Sequence, residues 1–151
     1  MDYDDPAQDL YIHLRALIEF TNICKNDCLY CGLRCSNKKI ERYRLSDKEI
    51  LECVKRAVNA GFKTVVLQGG EDIYYDIDKL CSLIIKIKKY DVALTLSIGE
   101  RSREEFKALK EAGTDRYLMR IETTDNNLYK MLHPNMSYEN RITCLYDLKD
   151  I

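Results

Sequence analysis

A chain of 151 residues is long enough for one domain with a sizeable apolar core. Its 24 basic and 25 acidic side chains leave a formal net charge of -1, which gives no electrostatic footprint for nucleic acid or an anionic membrane surface. The longest apolar runs are strand-sized and the opening MDYDDPAQDL is acidic and polar rather than a secretory signal, so a cytoplasmic protein without a transmembrane segment is expected.

Residues 15–21 (RALIEFT) read as a first strand, leading directly into a cysteine-rich loop. Ser46 to Glu49 is a capping box, and Ile50, Leu51, Val54, Ala57 and Val58 then recur at helical spacing until Gly61. Residues 63–68 (KTVVLQ) form a second strand, a short β-branched run of the kind buried on both faces, followed by Gly69-Gly70-Glu71. The next helix carries Ile77, Leu80, Cys81, Ile84 and Ile85 as its apolar stripe. Residues 92–97 (VALTLS) are a third strand, and Ser102 to Glu105 a second capping box whose helix turns Phe106 and Leu109 inward and ends at Gly113. Residues 116–121 (RYLMRI) read as a fourth strand, with helical pieces over 125–132 and 138–149 separated by His133-Pro134.

Strand and helix alternate four times at roughly thirty-residue intervals, the rhythm of right-handed parallel βαβ units. The expected fold class is α/β, a partial (β/α) TIM-type barrel of about four βα units. A complete barrel takes about 250 residues, and the sequence stops at Asp150-Ile151 within a helical pattern. Residues 1–151 are therefore expected to be the N-terminal portion of a longer barrel, poorly stable and inactive in isolation.

Seven cysteines do not read as a disulfide framework, because the number is odd and four of them fall within residues 24–35. Cys53, Cys81 and Cys144 each sit among apolar helix residues and are expected to act as small buried hydrophobes. Cys24, Cys28 and Cys31 differ: C-x3-C-x2-C directly after a strand lets three thiolates converge from one short loop. A structural zinc site wants four protein ligands and a cubane cluster one per iron, so three leave a coordination position free for chemistry. Cys35 extends the pattern, and as a fourth thiolate it would close the site, giving a ferredoxin-like redox module or a structural zinc domain.

CKNDCLYC, with Tyr30 just before the last cysteine, resembles the signature of the radical S-adenosylmethionine (SAM) superfamily. The resemblance implies that Cys24, Cys28 and Cys31 hold a 4Fe-4S cluster whose fourth iron takes the amine and carboxylate of SAM. In parallel β/α folds ligands bind where strands end. The cysteines, Gly69-Gly70-Glu71, Ser97 to Glu100, and Arg120 with Glu122 all follow successive strands.

Gly69 and Gly70 permit close backbone approach, and the GGE-like turn with Glu71 resembles the one that meets the SAM amine through backbone carbonyls. The resemblance implies that Arg141 pairs with the SAM carboxylate and Glu122 accepts from the ribose hydroxyls, where composition alone would read each as an ordinary surface ion pair. Arg120, two residues before Glu122, would share its side of the strand and hold an anionic substrate or the SAM carboxylate. Glu100 either binds substrate or caps the helix that starts at Ser102. Tyr30 stacks near the adenine, packs over the cluster or joins the core. His13 and His133 fit no ligand pattern and are expected to be structural or exposed.

From about Tyr11 onward the likeness sharpens. IEFTNICKNDCLYCGLR, NKKIERYRLSDKEI, KTVVLQGGEDIYY, LTLSIGER, GTDRYLMRIETTDNNLYKMLHP and SYENRITCLYDLK are similar to successive segments of HydE-type maturases of FeFe-hydrogenase. They are shared more loosely with methylornithine synthase and more remotely with biotin synthase. That likeness implies reductive cleavage of SAM to methionine and a 5′-deoxyadenosyl species during maturation of the hydrogenase active-site subcluster (H-cluster). The substrate would be a small or organometallic molecule. A maturation scaffold protein and an electron donor such as ferredoxin or flavodoxin would be partners. Cys35 departs from the maturase pattern and matches the methylornithine synthase one.

Overall fold

The computed structural model describes residues 12–151; the acidic opening segment lies outside them. Four strands, β1 (Ala16–Thr21), β2 (Thr64–Gly69), β3 (Ala93–Ser97) and β4 (Arg116–Tyr117), form one parallel sheet in the order β1-β2-β3-β4. Helices α1 (Asp47–Asn59), α2 (Ile77–Ile87) and α3 (Arg103–Glu111) connect successive strands, and α4 (Asn126–Leu132) and α5 (Tyr138–Asp150) follow β4. This is the partial β/α barrel architecture that the alternating pattern predicts.

Register sorts the two faces of the sheet. Ile18, Leu67, Leu96 and Tyr117 lie side by side across the four strands and belong to the core under the helices. One residue further on, Glu19, Gln68 and Ser97 align on the opposite face, as the two-residue period of a strand requires. The apolar face thus holds the helices, and the polar face is free to bind.

Both capping boxes form as expected: the Ser46 and Ser102 hydroxyls accept from the Glu49 and Glu105 amides, and each glutamate accepts from the cap backbone in return. Gly61 and Gly113 follow α1 and α3 with φ of 87° and 119°, the left-handed region that a side chain disfavours.

Two expectations are corrected. The buried stripe of α2 is Leu80, Leu83, Ile84 and Ile87, whereas Ile85 is exposed and Cys81 only half-buried. The run of apolar residues offers two overlapping stripes, and packing into the common core, with α1 and α3 on either side, selects the one centred on Ile84. The fourth strand ends at Tyr117, although the Leu118 amide still donates to the Leu96 carbonyl at 2.8 Å. Beyond that point the chain bends away, and Glu122 has a φ of 64°. Strand alternation therefore cannot be what relates Arg120 to Glu122.

Candidate functional site

The C-terminal ends of the four strands open into one cleft of 480 Å³. It collects Cys24, Cys28, Tyr30 and Cys31 after β1, Gly69, Gly70 and Glu71 at the end of β2, Ser97 and Gly99 from the end of β3, Arg120 and Glu122 after β4, and Arg141 from α5. Every sequence-predicted site residue from Cys24 to Arg141 except Glu100 is brought to this cleft. Cys35 is not among the residues that line it.

The thiols are set by backbone amides. Cys24 Sγ accepts from the amides of Asn26 (3.5 Å) and Glu71 (3.4 Å), and Cys31 Sγ from that of Leu33 (3.4 Å). Cys28 Sγ lies 3.8 Å from Met136 Sδ. Burial, followed by the proximity of Cys24 and Cys31, pushes the Cys28 thiol up to about 11. Cys24 is raised as well, mainly by burial. The three sulfurs thus feel one another in a partly enclosed site, a situation that a bound cation reverses by favouring the thiolates. Among the described residues no three His, Cys, Asp or Glu side chains converge closely enough to hold a single metal ion.

Cys35 faces elsewhere. Its amide donates to the Asn26 carbonyl at 2.9 Å, closing the loop. Its thiol is one of the groups, after the hydroxyl and amide of Ser36, that hold the Asp27 carboxyl below the usual carboxylate range.

Gly70 is required by the cysteine loop itself. A Cβ there would stand 2.3 Å from the Ile23 carbonyl oxygen and 2.7 Å from Cys24 Cβ, so a side chain at this position would displace the loop. Glu71 is buried and ties the site together from both ends. Its carbonyl accepts from the Lys25 amide at 3.0 Å, and its carboxylate takes the Glu100 amide at 2.9 Å and Lys25 Nζ at 3.3 Å. Gly99, with a φ of 82°, leaves the space that the Glu71 side chain fills.

Glu100 does not cap the helix that starts at Ser102. Its carboxylate binds Arg141 Nε at 2.7 Å and Asn140 Nδ2 at 2.6 Å, while Glu105 completes the cap of α3. Arg141 also donates through Nη1 to the Arg120 carbonyl at 2.7 Å, so this buried guanidinium is oriented from two sides at the cleft wall. Tyr30 is not in the core; its ring is half-exposed. His133 is buried, stacked on Tyr129 with ring centroids 4.0 Å apart. Its Nδ1 lies 3.0 Å from the Tyr129 carbonyl and must donate to it, leaving Nε2 to accept from the Tyr30 hydroxyl at 2.8 Å. His133 is therefore structural, and His13 is exposed.

Sequence reasoning passed over the two arginines of RYRL. Arg44 pairs with Asp72 of the QGGED turn through Nε (2.6 Å) and Nη2 (2.8 Å). Arg42 donates to the carbonyls of Asn22, Leu33 (3.0 Å), Arg34 (2.8 Å) and Asn37 (3.1 Å). The acceptors of Arg42 are backbone carbonyls and the partner of Arg44 lies 28 positions away, so no local spacing marks either.

All seven cysteines are free thiols, and no helix among the described residues is long and apolar enough to cross a membrane. The family model described as "Radical SAM superfamily" matches residues 18–151. The chain is 51% identical over 140 residues to the [FeFe] hydrogenase maturase subunit HydE of Thermotoga maritima, covering 93% of this chain and 40% of that protein. It is 33% identical to biotin synthase of Magnetococcus marinus, covering 83% of this chain and 40% of that one. The crystal structure of methylornithine synthase (PylB) superposes with a TM-score of 0.84 at 32% identity, over 90% of this chain and 41% of the other. The chain thus spans about two fifths of the length of these relatives. A match of this extent, on a parallel β/α sheet with three cysteines after its first strand, means that the chain belongs to the radical SAM superfamily.

Proposed function

We propose that this chain supplies the N-terminal, cofactor-binding portion of the barrel of a radical SAM enzyme acting in maturation of the FeFe-hydrogenase active site. Superfamily membership implies an iron–sulfur cluster and SAM as cofactors. The observation that carries the reading is the convergence of Cys24, Cys28 and Cys31 with the ends of all four strands on one cleft from which Cys35 is excluded.

The donor set fits a 4Fe-4S cluster with an open iron. A cubane takes one thiolate per iron, so its ligands stand apart, whereas zinc needs its thiolates about 2.3 Å from one centre. When bound, such a cluster would supply the electron for reductive cleavage of SAM. The chain's own groups hold and shield the reactants. Cys24, Cys28 and Cys31 ligate, and the Gly69-Gly70-Glu71 turn brings backbone up to the cofactor amine. Arg141, oriented by Glu100 and the Arg120 carbonyl, would pair with the cofactor carboxylate, with Arg120 beside it. Glu122 takes the ribose hydroxyls and Tyr30 flanks the adenine.

The substrate is a small or organometallic molecule, the electron comes from a ferredoxin- or flavodoxin-type donor, and a maturation scaffold receives the product. Seven free thiols fit a reducing, cytoplasmic setting. The similarity to PylB supports a methylornithine synthase-like activity as the second reading.

The test is anaerobic reconstitution with iron and sulfide, followed by EPR of the reduced sample with and without SAM, on wild type and Cys35→Ser. A 4Fe-4S signal that SAM perturbs and that survives Cys35→Ser is the expected result. A signal insensitive to SAM and lost in Cys35→Ser, or binding of zinc alone, would replace the enzyme with a closed four-cysteine module.

A further inference from the structure

The loop that carries the three cysteines has little regular structure of its own: residues 22–43 form no helix or strand. It nonetheless has one dominant internal tie, and that tie is a single side chain. Arg42 Nη1 donates to the carbonyls of Asn22 and Leu33, and Nη2 to those of Arg34 and Asn37. The two terminal nitrogens of a guanidinium carry four hydrogens, and all four are used. Asn22 precedes Cys24, while Leu33, Arg34 and Asn37 follow Cys31. The guanidinium therefore cross-links the two ends of the segment bearing the ligands.

The residues whose carbonyls it binds, or their neighbours, also make backbone hydrogen bonds within the loop, one of them to the Cys31 sulfur. Leu33 turns its carbonyl to Arg42 and its amide to Cys31 Sγ at 3.4 Å. The peptide between Arg34 and Cys35 gives its carbonyl to Arg42 and its amide to the Asn26 carbonyl at 2.9 Å. Arg42 is itself fixed on a segment stitched to the end of β1: the Tyr43 amide donates to Asn22 Oδ1 at 2.8 Å, and Thr21 bridges to Arg44.

We propose that Arg42 is a positioning residue that pre-forms the cysteine loop for its cluster, holding it closed in the protein before iron arrives; the inference rests on the iron–sulfur reading above. Arg42 touches no reacting atom and lies outside the cleft lining. Lysine cannot replace it, because an ammonium is a point donor with three hydrogens and cannot span four carbonyls in a planar fork.

The experiment compares wild type, Arg42→Met, Arg42→Lys and the exposed-loop control Lys39→Met in the 151-residue chain. The first readout is amide hydrogen exchange of the metal-free protein. The second is the rate at which an iron chelator strips the reconstituted cluster. In Arg42→Met the amides of Cys31 and Cys35 exchange at least about tenfold faster, while those of Val65 to Leu67 and Leu94 to Leu96 keep their protection. Arg42→Lys falls between Met and wild type, Lys39→Met matches wild type, and cluster loss follows the same order.

Wild-type exchange in the Arg42→Met loop, full rescue by lysine, or equal acceleration in Lys39→Met would each overturn the proposal. Should Arg42→Met unfold the sheet, Arg42→Lys decides: faster loop exchange over an intact sheet supports the clamp, and no change overturns it. A wild-type chain that takes up no cluster would count against the function proposed above, while the metal-free exchange data would still decide the role of Arg42.

Discussion

Arg44 and Asp72 form a two-point ion pair, Nε to Oδ2 at 2.6 Å and Nη2 to Oδ1 at 2.8 Å, that ties the extended segment after the cysteine loop to the turn after β2. Asp72 is buried and also accepts from the Thr21 hydroxyl at 2.9 Å and the Tyr74 amide at 3.1 Å. Burial alone would raise its carboxyl, but these donors outweigh it and the pKa is lowered. Such a group contributes stability that is complete above the unfolded-state carboxylate pKa, about 3.9, and is lost as pH falls through the lower folded value. Asp72→Asn should cost about 2–3 kcal/mol at pH 7, less than a fully enclosed pair because Arg44 stays more than a third exposed. Urea midpoints followed from pH 7 to about pH 3 should fall for wild type and fall less for Asp72→Asn.

Gly70→Ala should damage the cysteine loop rather than only the cofactor's approach. The new Cβ meets the Ile23 carbonyl and Cys24 Cβ at 2.3 and 2.7 Å, and backbone must move to admit it. A stability loss of about 1–3 kcal/mol is expected, together with a clear drop in iron bound per chain after reconstitution. Normal iron uptake with weakened SAM binding would mean that only the cofactor needs this glycine.

Arg141 and Glu100 form an ion pair with both side chains nearly enclosed, 10% and 13% exposed. Removing one partner strands the other, so Arg141→Met and Glu100→Gln should each destabilise by about 2–4 kcal/mol. The double variant should cost clearly less than their sum, a coupling readable in a denaturation cycle. Additive losses would show that the pair contributes no mutual stabilisation.

Tyr30→Phe removes the donor to His133 Nε2 and leaves a buried ring nitrogen without its partner. A loss of about 1–2 kcal/mol in thermal or urea unfolding is expected. His133→Phe, which removes that unmet acceptor, should make the Tyr30→Phe change nearly silent.

Much of the fold was legible because its signals are local. Val65 to Leu67 and Leu94 to Leu96 are compact apolar runs, and the capping boxes at Ser46 and Ser102 have reciprocal hydrogen bonds written into a four-residue spacing. The cleft followed from those strands, since fixing their order fixes which loops share an end. Features set by tertiary competition were not legible. Nothing in RYLMRI says that the chain turns away after Tyr117, and the apolar run of α2 supports two stripes equally. The partnership of Glu100 with Arg141 spans 41 positions, and the four acceptors of Arg42 are carbonyls, which no side-chain pattern reveals.

Glu122 stands in the left-handed region at the cleft with a φ of 64°. For a residue with a Cβ that conformation costs roughly 1 kcal/mol, a cost glycine avoids. A chain selected for robustness alone would drift towards glycine at this position. Glu122→Gly is thus expected to leave a protein that withstands heat at least as well as the wild type. The same change would strip the cleft rim of its carboxylate, so if the proposed ribose contact holds, durability and chemical use pull in opposite directions at position 122.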